Sequence, residues 1–212
     1  MLAKIEILLH MLGLALRRFL ERVEQFFQAK SEDRAEIYKK VGEKYSDRGR
    51  VDEAIASLKK AVDLNPSDGE AYYGLGLAYS RRGLWDDAIA CYEQILKLDS
   101  SGTKSSNSNT AEIYSHLGLA YIKKDFVDKA IDSFQKSLRI FSDQPETYYK
   151  LGLLYDRKRM HAESIEAYEK AIELSPQTAK YYYSLGLAYD GKGEHSKAID
   201  AFRKAMEAEE TD

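Results

Sequence analysis

The stretch LGLAYSRRGLWDDAIACYEQI (75–95) decides the fold. It holds two apolar-periodic segments of helical spacing, separated by a short polar turn at Gly83. The acids Asp86 and Asp87 open the second segment, where carboxylates complement the dipole of a helix start. The pattern returns along the chain. VGEKYSDRG (41–49), LGLAYIKKD (117–125), LGLLYDRKR (151–159) and LGLAYDGKG (185–193) match its first half, with successive copies 34, 42, 34 and 34 residues apart. Each is followed by a second similar segment: DEAIASLKKA, DKAIDSFQKS, AESIEAYEKA and SKAIDAFRKA. Self-similarity at this period means helix pairs that cannot bury their apolar faces alone and must stack on their neighbours.

Small residues stand where such stacking needs close approach. Counting from position 1 at residues 35, 69, 111, 145 and 179, position 8 is Gly42, Gly76, Gly118, Gly152 and Gly186. Position 20 of the second helix is Ala54, Ala88, Ala130, Ser164 and Ala198, expected to lie opposite these glycines. Mid-helix Gly costs about 1 kcal/mol against Ala, so five in register imply a packing reason. Tyrosines recur at positions 4 and 11 as expected stacking anchors, with Tyr92, Phe134, Tyr168 and Phe202 at position 24. On these residues the chain resembles the tetratricopeptide repeat (TPR) family, with copies at 35–68, 69–102, 111–144, 145–178 and 179–212. The resemblance implies an all-α TPR solenoid, a right-handed superhelix of antiparallel helix pairs, preceded by an N-terminal amphipathic helix or a degenerate repeat. The usual turn Gly at position 15 is replaced by Asp125 and Arg159, and Leu58 replaces the aromatic at position 24 of the first copy. These departures put local packing in question, and leave the fold as it is.

One break in register is larger. SSGTKSSNSNT (100–110) carries eight residues beyond the repeat, 103–110, and its Ser/Asn-rich composition reads as flexible and solvated. The expected organisation is an N-terminal segment (1–34), repeats 1–2 (35–102), the insert, and repeats 3–5 (111–212). The insert is either a tolerated surface loop or a joint between the two halves.

The N-terminal segment contains ILLHMLGLAL (7–16), flanked by Glu6 and Arg17. Ten uncharged residues fall well short of the roughly 20 that a spanning helix needs, and RRFLERVEQFF follows without a small-residue cleavage site. Ile5, Leu9, Leu12, Leu16, Phe19, Val23 and Phe26 follow alternating steps of four and three, one continuous helical seam. Gly13 is its weak point, where the helix could bend or turn back. The seam either caps repeat 1, docks into a neighbour's groove to build a homo-oligomer, or lies on a membrane surface. At the other end, many TPR domains carry a polar solvating helix that this sequence, ending at Asp212, does not show.

Composition narrows the function. The 212 residues carry a net charge of −3, which gives no general drive toward nucleic acid. Cys91 is the single cysteine, which rules out an intramolecular disulfide and fits a reducing, cytoplasmic setting. No Gly-rich phosphate loop or zinc spacing occurs. His161 and His195 share position 17 of adjacent repeats, but stacked helix pairs hold such positions about 10 Å apart, too far for ligation at ~2 Å per bond. No enzyme activity, cofactor or metal is expected.

The resemblance implies that positions 2, 5, 9, 12 and 13 face a concave groove. The groove residues are then Tyr73, Leu77, Arg81, Leu119, Ile122, Lys123, Tyr149, Leu153, Arg157, Tyr183 and Leu187. Position 9 is Glu or Leu, never the Asn used by TPR domains that clamp a C-terminal carboxylate, which disfavours that ligand. A Tyr/Leu floor edged by Arg81, Lys123 and Arg157 suits an amphipathic protein segment with apolar anchors and some acid. In the other reading the leucines pack between repeats and the basic residues solvate helix ends. A thirty-residue helix, then five repeats split into a short and a longer half, is similar to the magnetosome-associated TPR scaffolds. That resemblance implies a chain without a transmembrane segment that self-assembles through its N-terminal segment and coats a magnetosome membrane peripherally, through partner proteins. The alternative is a monomeric cytosolic adaptor for one foreign peptide.

Overall fold

The computed structural model describes residues 2–100 and 107–209, with the side chains of 1–16, 19, 20, 23–26, 29 and 99–109 outside the description. The expected seam residues Ile5, Leu9, Leu12, Leu16, Phe19, Val23 and Phe26 therefore lie outside the described side chains. Among the described residues the fold is all α-helix: α1 (Leu2–Asp47), α2 (Val51–Leu64), α3 (Gly69–Arg82), α4 (Trp85–Ser100), α5 (Asn107–Lys123), α6 (Val127–Ile140), α7 (Pro145–Arg157), α8 (His161–Leu174), α9 (Ala179–Gly191) and α10 (His195–Glu209). Two compact units result, Met1–Gly83 and Leu84–Asp212.

In the first unit, α1 runs unbroken through Gly13 and through residue 34, where the N-terminal segment was expected to end. No proline falls between Leu2 and Asp47, and 46 residues make a rod of about 69 Å. The N-terminal segment is collinear with the first helix of repeat 1 and does not fold back on it. Ala35, Ala54, Leu58, Ala61, Ala71 and Leu75 are buried among α1, α2 and α3. Lys39 is buried too, at 8% exposure. Its ammonium lies 2.8 Å from Glu70, 2.9 Å from Glu36 and 3.4 Å from Asp68. Burial pushes its pKa down, but the three carboxylates outweigh that and raise it. Lys39 is thus a structural tie between α1 and the start of α3, where Asp68 also caps the helix by accepting from Ala71 N.

The second unit is built around Tyr92, Phe134 and Tyr168, each fully buried at position 24. A β carbon added at Gly118 or Gly152 would stand 2.6 Å from the Phe134 ring or 2.5 Å from the Tyr168 ring, and one at Gly186 would stand 2.5 Å from Phe202. The glycine thus makes room for the position-24 ring; the small residue at position 20 was the expected neighbour. The position-4 tyrosines are half-buried at most, whereas Tyr181 at position 3 is 3% exposed. Position 3 is buried in repeats 2–5, as Ala71, Ile113, Thr147 and Tyr181.

The composition of 103–110 predicts a flexible, solvated insert. Its last four residues, 107–110, instead form the opening turn of α5, consistent with the preference of Ser and Asn for helix starts. Position 15 keeps one left-handed conformation whatever the residue: Gly49 (φ 71°), Gly83 (79°), Gly193 (84°), Asp125 (65°) and Arg159 (58°). An L side chain there costs about 1–2 kcal/mol. Arg159→Gly is therefore expected to stabilise the second unit by roughly 0.5–1 kcal/mol, part of the relief being returned as chain entropy of the unfolded state. A urea midpoint at or below wild type would contradict this.

Candidate functional site

The first helices of the repeats carry the expected partner-binding residues. In the first unit, Tyr73 and Leu77 on α3 are half-buried. Arg81 is exposed, yet its guanidinium donates to Ser46 O (3.2 Å) and Ser46 Oγ (2.7 Å). It satisfies a carbonyl in the last turn of α1, where a cation also complements the helix dipole.

In the second unit, α7 and α9 touch, bringing equivalent positions side by side. Leu153 (43% exposed), Leu187 (50%) and Tyr183 (55%) are the large apolar side chains that this face leaves in solvent. Tyr183 leans on Phe202, with ring centroids 5.6 Å apart. Tyr149 is held between Tyr168 (5.9 Å) and Tyr181 (5.2 Å), with the Lys180 ammonium 5.0 Å over its ring. Glu146 gathers Lys180 at 2.8 Å, Lys150 at 3.2 Å and the Tyr181 hydroxyl at 3.2 Å. Burial raises the Glu146 carboxyl, but the two ammonium groups outweigh it and the net shift is downward. Burial, then that carboxylate, push the Tyr181 phenol up to about 12. On α5, Leu119 and Ile122 are half-buried and Lys123 is exposed. Arg157 pairs with Asp125.

In the second unit the face is an apolar strip with local ion pairs, and two of the three expected cations, Arg81 in the first unit and Arg157 in the second, are engaged within the chain. Their partners lie 35 and 32 residues away, a relationship that repeat position alone does not reveal. Among the described residues, no three His, Cys, Asp or Glu side chains come together in a metal-binding group. His161 lies 3.7 Å from Asp156 and packs against Gly191, and exposed His195 pairs with Asp190 at 2.7 Å. Cys91 is buried. Among the described residues, no helix is long and apolar enough to cross a membrane.

Comparison with known proteins places these features. Sequence profiles described as TPR repeat match residues 42–83, and those described as tetratricopeptide repeat match 67–143, 109–177 and 143–210. A solved structure described as MamA protein is 37% identical, covers 84% of this chain and 93% of its own, and superposes with a TM-score of 0.77. MamA residues 41-end from Desulfovibrio magneticus RS-1 is 27% identical over 84% of this chain and 97% of its own, with a TM-score of 0.75. YrrB, described as a TPR protein with an unusual peptide-binding site, is 22% identical over 90% of this chain and 91% of its own, with a TM-score of 0.72, and shares the fold. No curated protein sequence matches. The chain belongs to the tetratricopeptide repeat family and, within it, is similar to MamA.

Proposed function

We propose that the chain is a non-enzymatic scaffold. The N-terminal part of α1 from one copy docks on the first-helix face of another, and the remaining face recruits protein partners. The observation that carries this reading is the match between two surfaces. Every described side chain from Arg17 to Lys30 is exposed, Phe27 at 65%, on a helix whose seam is apolar by sequence. Leu153, Tyr183 and Leu187 offer exposed apolar anchors at one repeat position or close to it. A helix with anchors at steps of three and four suits such a strip. The similarity to MamA supports a scaffold role, and a magnetosome surface is the place this reading assigns to the assembly. Light scattering of the full chain tests it. Wild type is expected to assemble at micromolar concentration, while Leu12→Asp with Leu16→Asp, or Leu153→Asp with Leu187→Asp, should reduce the assembly and keep helical content. A wild-type chain that stays monomeric would favour the monomeric adaptor instead.

A further inference from the structure

The contacts between successive repeats follow a rule, and the rule describes a surface left open at each end of the array. Position 21 and position 28 of a second helix pack against position 7 of the next repeat. Ile165 and Ile172 do this on Leu185 in the core of the second unit. At three of the four joints, position 14 of the later repeat pairs with an aspartate at position 18 of the earlier one: Arg82–Asp52 at 2.7 Å, Lys124–Asp86 at 2.8 Å and Lys158–Asp128 at 2.6 Å; at the fourth, position 18 is Ala162 and Lys192 pairs with Glu194 at 2.7 Å. The position-11 tyrosine meets position 25 of the earlier repeat, as Tyr121 with Glu93 (3.0 Å), Tyr155 with Gln135 (2.8 Å) and Tyr189 with Glu169 (2.8 Å).

In the first and last repeats these positions are exposed among the described residues. Positions 3 and 7 are at most 8% exposed in repeats 2–5, but Ile37 and Val41 of repeat 1 are 61% and 37% exposed. Ile165 and Leu138, at positions 21 and 28 inside the array, are 7% and 9% exposed, whereas Ile199 and Met206 on α10 are 64% and 66% exposed. The α10 face therefore has the shape of a surface made to receive a first helix, and the Ile37–Val41 face that of a surface made to receive a second helix. We infer that a second copy of this chain covers them: α10 of one molecule stacks on α1 of the next and continues the repeat register between molecules. This contact is independent of the docking of the N-terminal seam on the first-helix face. It is heterologous, so it builds closed rings or open chains according to whether the rotation between copies closes.

The rule also fixes what the junction lacks. Position 18 of the last repeat is Ser196, so Arg48 at position 14 of the next copy meets a hydroxyl where three of the four internal joints have a carboxylate. The apolar half of the joint is intact and its ion pair is missing, as it is between repeats 4 and 5, so the junction is weaker than the three internal joints that carry the pair.

Sedimentation of the full chain across a concentration series tests this, with circular dichroism as a check on folding. Ile199→Asp is expected to weaken association at least ~tenfold with unchanged helical content. Ser196→Asp restores the internal pairing and should strengthen association about threefold, an increase that added salt or Arg48→Glu removes. The gain-of-function variant keeps the test decisive even if Ile199→Asp perturbs folding. Association that responds to Leu12→Asp with Leu16→Asp but to neither end variant overturns the stacking and leaves the groove docking standing. The opposite pattern supports the stacking and removes the groove docking. A wild-type chain that remains monomeric overturns both.

Discussion

Tyr168→Ala is expected to lower the stability of the second unit by about 3–5 kcal/mol, the range for deleting a large buried ring that leaves a cavity. Tyr168 is fully buried, and its ring packs in one core with Ile165, Leu185, Ala188 and Ala201. Its hydroxyl donates to Asp156 Oδ2 at 2.7 Å. Burial, then that carboxylate, raise the phenol's pKa, so it remains a donor at neutral pH. Asp156 Oδ1 already lacks a hydrogen-bond partner among the described residues, which makes the Oδ2 bond the one that satisfies this carboxylate. Tyr168→Phe removes the hydroxyl alone and should cost about 1–2 kcal/mol. Urea unfolding followed by circular dichroism measures both. A loss below about 1 kcal/mol for the alanine variant would mean that neighbouring side chains collapse into the space, contrary to a tightly packed joint.

Gly152→Ala should act through the same ring with the opposite volume change. The added methyl would lie 2.5 Å from Tyr168 Cε1 and 2.7 Å from Cδ1, and the ring is enclosed on all sides. Overpacking of this kind costs about 1–3 kcal/mol, against about 1 kcal/mol gained in helix propensity. A net loss of about 1–2 kcal/mol is expected. The diagnostic result is a sign reversal. In the Tyr168→Ala background the methyl has room, and Gly152→Ala should stabilise by roughly 0.5–1 kcal/mol. Additive effects in the double variant would show that Gly152 and Tyr168 do not share one packing constraint.

These couplings explain how far the sequence could be read. The helix pairs and the position-8 glycines were legible because they recur at a fixed interval, and recurrence is visible without coordinates. The partner of each glycine was harder to see, because position 20 and position 24 both recur on the facing helix and only the direction of the Cα–Cβ bond chooses between them. Lys39 and Tyr181 are buried by features that repeat position alone does not carry. Lys39 stands at a groove position, but lysine at position 5 is particular to repeat 1, and Asp68 and Glu70 close over it. Tyr181 takes position 3, which holds Ala, Ile and Thr in other copies, so its burial had no tyrosine precedent to follow. Repeat spacing puts the end of the N-terminal segment at residue 34, while SEDR (31–34) contains no residue that stops a helix. The eight leucine, isoleucine, tyrosine and basic residues assigned to the first-helix face in the second unit follow from repeat position alone. Whether each cation there is free depended on acids one repeat away.

The unbroken course of α1 has a mechanical consequence. Its first 33 residues, 2–34, extend about 50 Å beyond the start of repeat 1 without an intervening turn. A body that grips the tip holds the repeats at that stand-off distance. Tension applied there travels along the helix axis and is delivered first to the Lys39 carboxylate cage and to the contact of Gly42 with Leu58, so repeat 1 bears the load before any other part of the chain.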